Sequence, residues 1–307
     1  MRSLANFLFT ALFIISCANF TLAGQVVTEE SRQWAKKVVE EESSIQAVDN
    51  NKTIAILYFN NKTGDQELDP LRKGLTFMLI TDLSTVKSLN VIERVKLQAL
   101  IEEVSLGESG LVMAETSPKT GKMLGAHWIV GGDIMSMGNV PIHVSSSLLD
   151  VPDSELVGQP TAEGMLANFF EIEKNLLFKI IDLLKIELSD EEIEILRRPI
   201  TMNQKALLDL FKAIDESDKG NYEQAEKYYK SSLKRDSDIA SAKESLTELR
   251  SLGMISPLRN ESLQLLQAVR NTTSLTDQQI PDVITKREQT PEDTRIPITI
   301  EVPVPML

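Results

Sequence analysis

The chain has 307 residues, of which 42% are hydrophobic and 25% are charged, so it can form one medium-sized domain and a smaller unit. Its formal net charge is −13, and no basic patch stands apart from this acidic background. This charge disfavours binding to nucleic acid, and we expect no nucleic-acid partner. A single cysteine excludes an intramolecular disulfide and a cysteine-based metal site.

The N-terminal segment has the layout of a secretory signal peptide. One cationic residue, Arg2, precedes an apolar run from Phe7 to Ile15, which is far shorter than a membrane-spanning helix requires. Small residues that end at Ala23 suit ordinary signal peptidase. Cleavage there would remove residues 1–23 as a signal peptide.

A second cleavage site competes with the first. The residues Ile-Ile-Ser-Cys at 14–17 resemble a bacterial lipobox, in which Cys17 becomes the lipid-modified first residue. The signal peptide would then comprise residues 1–16. Both alternatives predict an exported protein, and only the second predicts a membrane contact, made through a lipid anchor at Cys17.

Residues 24–51 form a polar lead-in that contains a short helical pattern. An α/β domain is expected over residues 52–199. It opens with an apolar run, Ile54 to Phe59, of the kind found in strands buried on both faces. A turn-rich loop follows, and Asp69 before Pro70 predicts a capped helix start. Leucines then recur every fourth residue and predict a buried stripe: Leu71, Leu75, Leu79 and Leu83.

Further strands and helices alternate up to Pro199, which indicates an α/β layer structure. Residues 140–151 alternate well enough for one or two strands, and a polar stretch follows them. An amphipathic helix is expected from about Ala167 to Leu188. Ser189 and Glu192 have the spacing of a capping box that opens a further short helix.

Residues 200–256 show only helical patterns. Thr201 and Gln204 are spaced as a capping box for the first of three helices, and Gly220 marks a tight turn after it. Residues 257–307 are charged and spaced by prolines, so we expect this tail to be mostly disordered. The expected fold class is therefore α/β, a small mixed sheet with flanking helices, followed by an all-α helical-hairpin segment and a disordered tail.

The loop after the first strand is a candidate phosphate site by position only. It lacks the glycines and the lysine of a phosphate-binding loop, and its carboxylates Asp65, Glu67 and Asp69 would repel a phosphate. The two histidines, His127 and His143, are too few for a histidine-based metal site. We find no catalytic constellation, and we expect a protein without catalytic residues, metal or cofactor.

Three blocks between Ile54 and Ile134 carry a family resemblance. They are an apolar strand that ends in Phe-x-Asn before a glycine-containing loop, a Leu-x-x-Asp-Leu helix end followed by Val-x-Glu-Arg, and Leu-Gly-Ala before a strand ending in Gly-x-Ile. In this order they resemble the envelope domain shared by CsgG (the curli secretion component), FlgO and TolB-like N-terminal domains. The residues that carry this family pattern are Phe59, Asn61, Gly64, Asp82, Glu93, Arg94, Gly125 and Gly132.

The helical segment resembles a single tetratricopeptide repeat. The matching residues are Gly220, Tyr222, Ala225 and Tyr229. One repeat does not build a solenoid, since at least three are generally needed. The segment is therefore expected either to pack on the main domain as a helical hairpin or to serve as a partner-binding appendage.

These observations together predict a non-enzymatic protein of the bacterial envelope. The resemblance implies a scaffold or assembly factor of a surface-structure or secretion system, located in the periplasm and anchored to the outer membrane if Cys17 is lipidated. Its expected partners are other envelope proteins or further copies of itself. The alternative is a soluble periplasmic binding module that recognises a small ligand or a peptide, and a hydrolase with a carboxylate site is a weaker third reading.

Overall fold

A computed structural model describes residues 26–45, 52–104, 117–136 and 142–256 of the chain. These residues belong to one compact unit that ends at Ser256. The candidate signal peptide, the candidate lipid site Cys17 and the expected disordered tail lie outside the described residues.

Strands and helices alternate in the first part of the described chain, and helices alone make up the last part. The strands are β1 (Thr53–Ile56), β2 (Asn60–Asn61), β3 (Asn90–Val91), β4 (Trp128–Met135), β5 (Ile142–Asp150), β6 (Glu155–Gly158) and β7 (Thr161–Gly164). The α-helices are α1 (Glu29–Glu40), α2 (Pro70–Leu83), α3 (Arg94–Val104), α4 (Ser117–Leu124), α5 (Phe169–Leu183), α6 (Asp190–Leu196), α7 (Gln204–Asp218), α8 (Tyr222–Arg235) and α9 (Ala240–Ser251).

The seven described strands form one mixed sheet in the order β3-β1-β4-β5-β6, with β2 paired to β4 and β7 paired to β5. Strand β1 is parallel to both of its neighbours, β3 and β4. Strand β5 runs antiparallel to β4 from the pair Trp128–Asp150 to the pair Met135–His143. The expected mixed α/β fold with a helical C-terminal part is confirmed.

Alternate residues of β1 and its continuation face opposite sides of the sheet. Ile54 and Ile56 belong to a core that includes the buried residues of α2 and α5. Ala55 and Leu57 belong to a second core with residues of α3 and α4. Strand β1 is therefore buried on both faces, as the continuous apolar run predicts, and helices cover the sheet on both sides.

Helix α2 buries the predicted leucine stripe, since Leu71, Leu75, Leu79 and Leu83 are all fully buried. Its start differs from the prediction, because the Asp69 side chain caps no backbone N–H of the helix. A 3-10 turn at Gln66–Leu68 leads directly into α2. The Asp69 carboxylate instead accepts a hydrogen bond from Asn61, so this residue shapes the preceding loop.

Two predictions for the middle of the chain are wrong in detail. Helix α5 ends at Leu183, before the predicted Leu188, and Lys185 just beyond it adopts a positive φ of 53°. The polar stretch after β5 holds strands β6 and β7, which the sequence did not indicate. Among the described strands both pair only with β5. Three of the four residues of β6 are exposed, and only one residue of β7 is buried, so apolar residues do not alternate in them.

The helical part begins at a different cap from the one predicted. Asn203 caps α7, because its side chain accepts a hydrogen bond from the backbone N–H of Ala206 at 3.1 Å. The Thr201 hydroxyl instead accepts a hydrogen bond from the backbone N–H of Asn203, the residue just before α7. The capping box predicted at Ser189 and Glu192 is present at the start of α6.

The helical part packs directly on the α/β part through α2 and α7. A Cβ atom added to Gly74 of α2 would lie 2.3 Å from the ring of Phe211, which α7 inserts at this point. The Phe211 ring also makes an edge-on contact with Phe169 of α5, with 6.1 Å between ring centroids. Leu210 and Ile214 of α7 are buried in the same core as α2 and α5. No helix within the described ranges is both long and apolar enough to cross a bilayer.

Candidate functional site: a polar cleft at the end of the central strand

In the parallel part of the sheet, the chain places the next strands on opposite sides of β1. From β1 the chain runs through α2 to β3 on one side, and it later returns through α4 to β4 on the other side. Ligands of open α/β sheets bind in the crevice outside the carboxyl end of such a strand. Here an open cleft of about 920 Å³ lies at that position, between the loop after β1 and helices α7 and α8, and we call it the switch-point cleft.

Asn61 holds one wall of the switch-point cleft in shape. Its amide nitrogen donates hydrogen bonds to the backbone oxygen of Asp65 at 2.8 Å and to a carboxylate oxygen of Asp69 at 2.6 Å. Its amide oxygen accepts hydrogen bonds from the backbone N–H and the hydroxyl of Thr63. Gly64, with φ of +80°, takes the left-handed conformation that the turn requires.

Beside this wall lies a group of buried charges that we call the Arg94 cluster, made of Lys73, Arg94, Asp215 and Asp218. One guanidinium nitrogen of Arg94 lies 2.8 Å from both carboxylate oxygens of Asp218. The Lys73 ammonium lies 3.1 Å from Asp218 and 3.3 Å from Asp215. The cluster thus joins α2 and α3 of the α/β part to α7 of the helical part, and all its members except Arg94 line the cleft.

The charges of the Arg94 cluster balance. Burial alone would lower the pKa of Arg94, but the Asp218 carboxylate together with Tyr58 and Tyr229 outweighs it, so the pKa of Arg94 is raised. Arg94 also donates to the hydroxyl of Tyr58 at 3.1 Å, and that hydroxyl donates to Gln98 at 3.0 Å. Two cations and two carboxylates with further hydrogen bonds meet the conditions under which buried ion pairs are tolerated.

A second buried group of charges lies between α2 and α5, and we call it the Glu173 cluster, made of Asp82, Glu173 and Lys174. The Lys174 ammonium forms a hydrogen-bonded ion pair with Asp82 and lies 3.4 Å from Glu173. Burial raises the pKa of Glu173 well above its ordinary value, and repulsion by Asp82 adds to this. Burial also raises the pKa of Asp82, although Lys174 opposes it. One cation here faces two carboxylates.

The residues of the family pattern occupy several parts of the fold. Asn61 and Gly64 shape the wall of the cleft, and Arg94 belongs to the cluster beside it. Phe59 is fully buried in the core. Glu93 lies just before α3, where its backbone oxygen accepts a hydrogen bond from the N–H of Lys96 at 3.1 Å.

The remaining residues of the family pattern lie away from the cleft. Asp82 is part of the Glu173 cluster. Gly125 follows α4 with φ of +67°, which is the left-handed position that commonly ends a helix. Gly132 lies in β4 where a Cβ atom would come within 2.1 Å of the backbone oxygen of Ser145. This close approach of two backbones leaves no room for a side chain.

The residues of the tetratricopeptide pattern lie around the α7–α8 hairpin. Gly220 adopts φ of +77° in the turn between the helices. Ala225 and Tyr229 are buried, and Tyr222 is partly buried. Burial raises the pKa of Tyr229 to about 12. The three predicted helices are present, and the resemblance to a tetratricopeptide repeat stays a prediction.

The sequence reasoning missed Lys73, Asp215 and Asp218 as members of a site. A lysine inside the apolar stretch that forms α2 was the available signal, but its partners lie more than a hundred residues later. The two histidines lie at opposite ends of the β4–β5 pair, because His127 is 3.2 Å from Asp150 at one end and His143 is opposite Met135 at the other. Within the described ranges, no group of three or more histidine, cysteine, aspartate or glutamate side chains could hold a metal ion.

Comparison with known families gives a match over part of the chain. Residues 35–140, less than half of the chain, match the model of CsgG, the curli production assembly/transport component. The predicted resemblance to CsgG is confirmed over this span, which contains all eight residues of the family pattern. No curated protein matches the chain.

Solved structures give weaker similarities. The LpoB C-terminal domain from Salmonella enterica is 13% identical, with a TM-score of 0.32, over 44% of this chain and 98% of that domain. Lipoprotein GNA1162 from Neisseria meningitidis is 12% identical, with a TM-score of 0.32, over 45% of this chain and 99% of that protein. Values this low assign neither fold nor function. The chain is thus similar to the CsgG family over residues 35–140.

Proposed function

We propose that this chain is a non-enzymatic, exported protein of the bacterial envelope that acts as a scaffold or assembly factor for a surface-structure or secretion system. The observation that carries the proposal is the match of residues 35–140 to a family described as an assembly/transport component. The signal-peptide pattern at the N-terminus supports export.

The proposal assigns the contact surfaces to the helical segment and the C-terminal tail, and the partners to other envelope proteins or further copies of the chain. The proposal keeps the domain boundaries that the sequence predicts: an α/β domain at 52–199, a helical segment at 200–256 and a tail from 257. Membrane attachment depends on which N-terminus is made, a lipidated Cys17 or a free Gly24.

Chemical cross-linking in intact cells, followed by fractionation, tests the assembly role. We expect the protein in the envelope fraction, cross-linked into species larger than the monomer. A cytoplasmic protein that remains monomeric after cross-linking would rule out the proposal. A variant with an arginine pair in place of Phe7 and Phe9 of the apolar leader serves as the control, because it should block export and abolish the cross-links.

The second candidate function is a soluble binding module, and the switch-point cleft is the observation that favours it. Its volume of about 920 Å³ is within the range of small-molecule sites. A ligand that binds only the folded state raises the melting temperature, whereas a pure scaffold shows no such rise with small molecules. A thermal-shift screen with small polar compounds and peptides therefore separates the two candidates.

A further inference from the structure

We propose that the switch-point cleft binds a short peptide segment that carries both a carboxylate and an ammonium group. The inference deepens the second candidate function and rests on the cleft being a binding site. It is independent of the envelope role, since the chain could be a scaffold whether or not this cleft is occupied.

Charge balance is the first argument. Five cationic and five carboxylate side chains line the cleft. A lining without net charge gives no advantage to a polyanion, and the net charge of −13 disfavours one further. A bare metal cation would compete with five resident ammonium and guanidinium groups. The lining suits a ligand that presents both signs.

Among the described residues, the charges at the mouth of the cleft are unpaired or weakly paired, while the others are firmly paired. Lys73 pairs with Asp215 and Asp218. Lys219 pairs with Asp215 and Glu216. At the mouth, Lys62 is exposed and forms no ion pair within the described part of the chain. Lys212 of α7 reaches across to Glu67 of the loop at 3.8 Å, with 33% and 86% of the two side chains exposed.

This cross-cleft pair is at the outer limit of an ion pair and is exposed to solvent, so it contributes little to stability. A ligand can therefore separate Lys212 from Glu67 at little cost. Lys62 and Lys212 then offer two ammonium groups to a ligand carboxylate. Glu67 and the exposed Asp69 offer two carboxylates to a ligand ammonium group.

An exposed amide is the second argument, since a side-chain amide matches the donors and acceptors of a peptide backbone. Of the amides that line the cleft, Asn60, Asn61 and Gln98 already bond to neighbouring protein groups. Gln66 is exposed at the mouth and can pair with a ligand backbone. The ring of Tyr228 adds an aromatic wall opposite the loop. The exposed charges, the Gln66 amide and one aromatic ring form a lining that fits a polar peptide better than a lipid or a sugar phosphate.

Calorimetric titration of the purified full-length mature protein tests the proposal. The probes are acetylated, amidated peptides in which one glutamate and one lysine are separated by one, two or three glycines. We expect saturable binding of at least one of them. Replacing its glutamate or its lysine by glutamine should weaken binding about fivefold each, as expected when a partly exposed ion pair of about 1 kcal/mol is lost.

Protein variants locate the binding. Lys62→Gln combined with Lys212→Gln should weaken the glutamate–lysine peptide about fivefold or more, and it should leave the affinity of the peptide that lacks glutamate unchanged. Lys205→Gln on the solvent side of α7 and Glu194→Gln on α6 are matched controls that should bind as the unmodified protein does. Equal melting temperatures confirm that each variant is folded.

Three outcomes would overturn the proposal. They are the absence of saturable binding with every probe, equal binding of the doubly glutamine-substituted peptide, and equal weakening by Lys205→Gln. Binding of the neutral peptide would leave a binding module in place and remove only the charge recognition. Failure of all probes leaves the cross-linking test of the envelope role unaffected.

Discussion

The two buried charge clusters differ in their balance of positive and negative charges, and this difference determines how each responds to pH. The Arg94 cluster holds two buried cations and two carboxylates, one of which also pairs with the half-exposed Lys219, whereas the Glu173 cluster holds one cation and two carboxylates. Each includes one residue of α2: Lys73 links α2 to α7 in the first, and Asp82 links α2 to α5 in the second. The balanced cluster can remain fully charged over a wide pH range, while the unbalanced one is most stable when a carboxylate holds a proton.

The number of buried charges therefore does not determine which cluster responds to pH. The balance between positive and negative charges does. The Arg94 cluster is expected to act as a fixed joint between the α/β part and α7. The Glu173 cluster is expected to make the stability of the same fold depend on pH. The experiments below test this contrast, beginning with the largest expected effect.

Removing one carboxylate from the balanced cluster should have the largest effect. In Asp218→Asn the nearly isosteric side chain leaves Arg94 and Lys73 buried with one carboxylate between them. Breaking a buried pair in this way costs about 3–5 kcal/mol of unfolding free energy, measured by urea denaturation. Lys230→Gln breaks the more exposed pair with Glu226 and should cost less than about 0.5 kcal/mol. A loss below about 1 kcal/mol for Asp218→Asn would contradict the role of the joint.

Overpacking the contact between α2 and α7 should weaken the same joint. Gly74→Ala places a methyl group where the ring of Phe211 now lies. Alanine favours a helix by about 1 kcal/mol over glycine, but overpacking typically costs about 1–3 kcal/mol, so we expect a net loss in chemical denaturation. Phe211→Leu in the same chain should recover part of the loss. A Gly74→Ala variant more stable than the parent would show that α7 is not held closely against α2.

Removing the Glu173 charge from the Glu173 cluster should raise the stability of the variant relative to the parent, whereas the two changes above lower it. The raised pKa of Glu173 means that its stabilising, protonated state is complete below its unfolded pKa of 4.5 and is lost as pH rises through the folded pKa. Glu173→Gln imitates the protonated side chain. The parent should lose stability with rising pH at up to about 1.4 kcal/mol per pH unit, and the variant should lose less, so it becomes relatively more stable.

Glu171→Gln, on the exposed side of the same helix, is the matched control for this measurement. Its stability curve should run parallel to that of the parent from pH 5 to pH 8, apart from a small constant offset. If Glu173→Gln also gave a parallel curve, the unbalanced cluster would not be the source of the pH dependence.

The smallest effect is expected at Glu192, whose pKa is lowered and not raised. Glu192 accepts hydrogen bonds from the backbone N–H groups of Lys87 and Ser189, which lower its pKa to about 2. Its contribution is present above the unfolded pKa of 4.5 and is lost as pH falls toward 2. Glu192→Gln should destabilise the protein at neutral pH, and the difference from the parent should shrink in acid. Glu191→Gln, 74% exposed beside it, should show no such convergence.

Local patterns predicted those parts of the fold in which neighbours along the chain determine the structure. The apolar run of β1, the leucine stripe of α2 and the capping box of α6 are all confirmed. Strands β6 and β7 escaped prediction because edge strands bury too little surface to produce an alternating pattern.

The charge clusters illustrate what sequence patterns could and could not show. Arg94 and Asp218 are 124 residues apart, so no local pattern connects them. Glu173 did carry a signal, because it occupies a position of the buried stripe of α5 between Phe169 and Leu177. A carboxylate at a core-facing helical position indicates a buried charge, although the neighbouring Asp82 on another helix could not be identified from spacing.

Intact-mass measurement of the protein purified from its native host tests the central claim of export most directly. The account predicts a mature N-terminus at Cys17 that carries lipid, or at Gly24 without modification. The first result places the chain on a membrane, and the second leaves it free in the exported compartment. A chain that retains Met1 and the whole apolar leader in the cytoplasm would contradict the account.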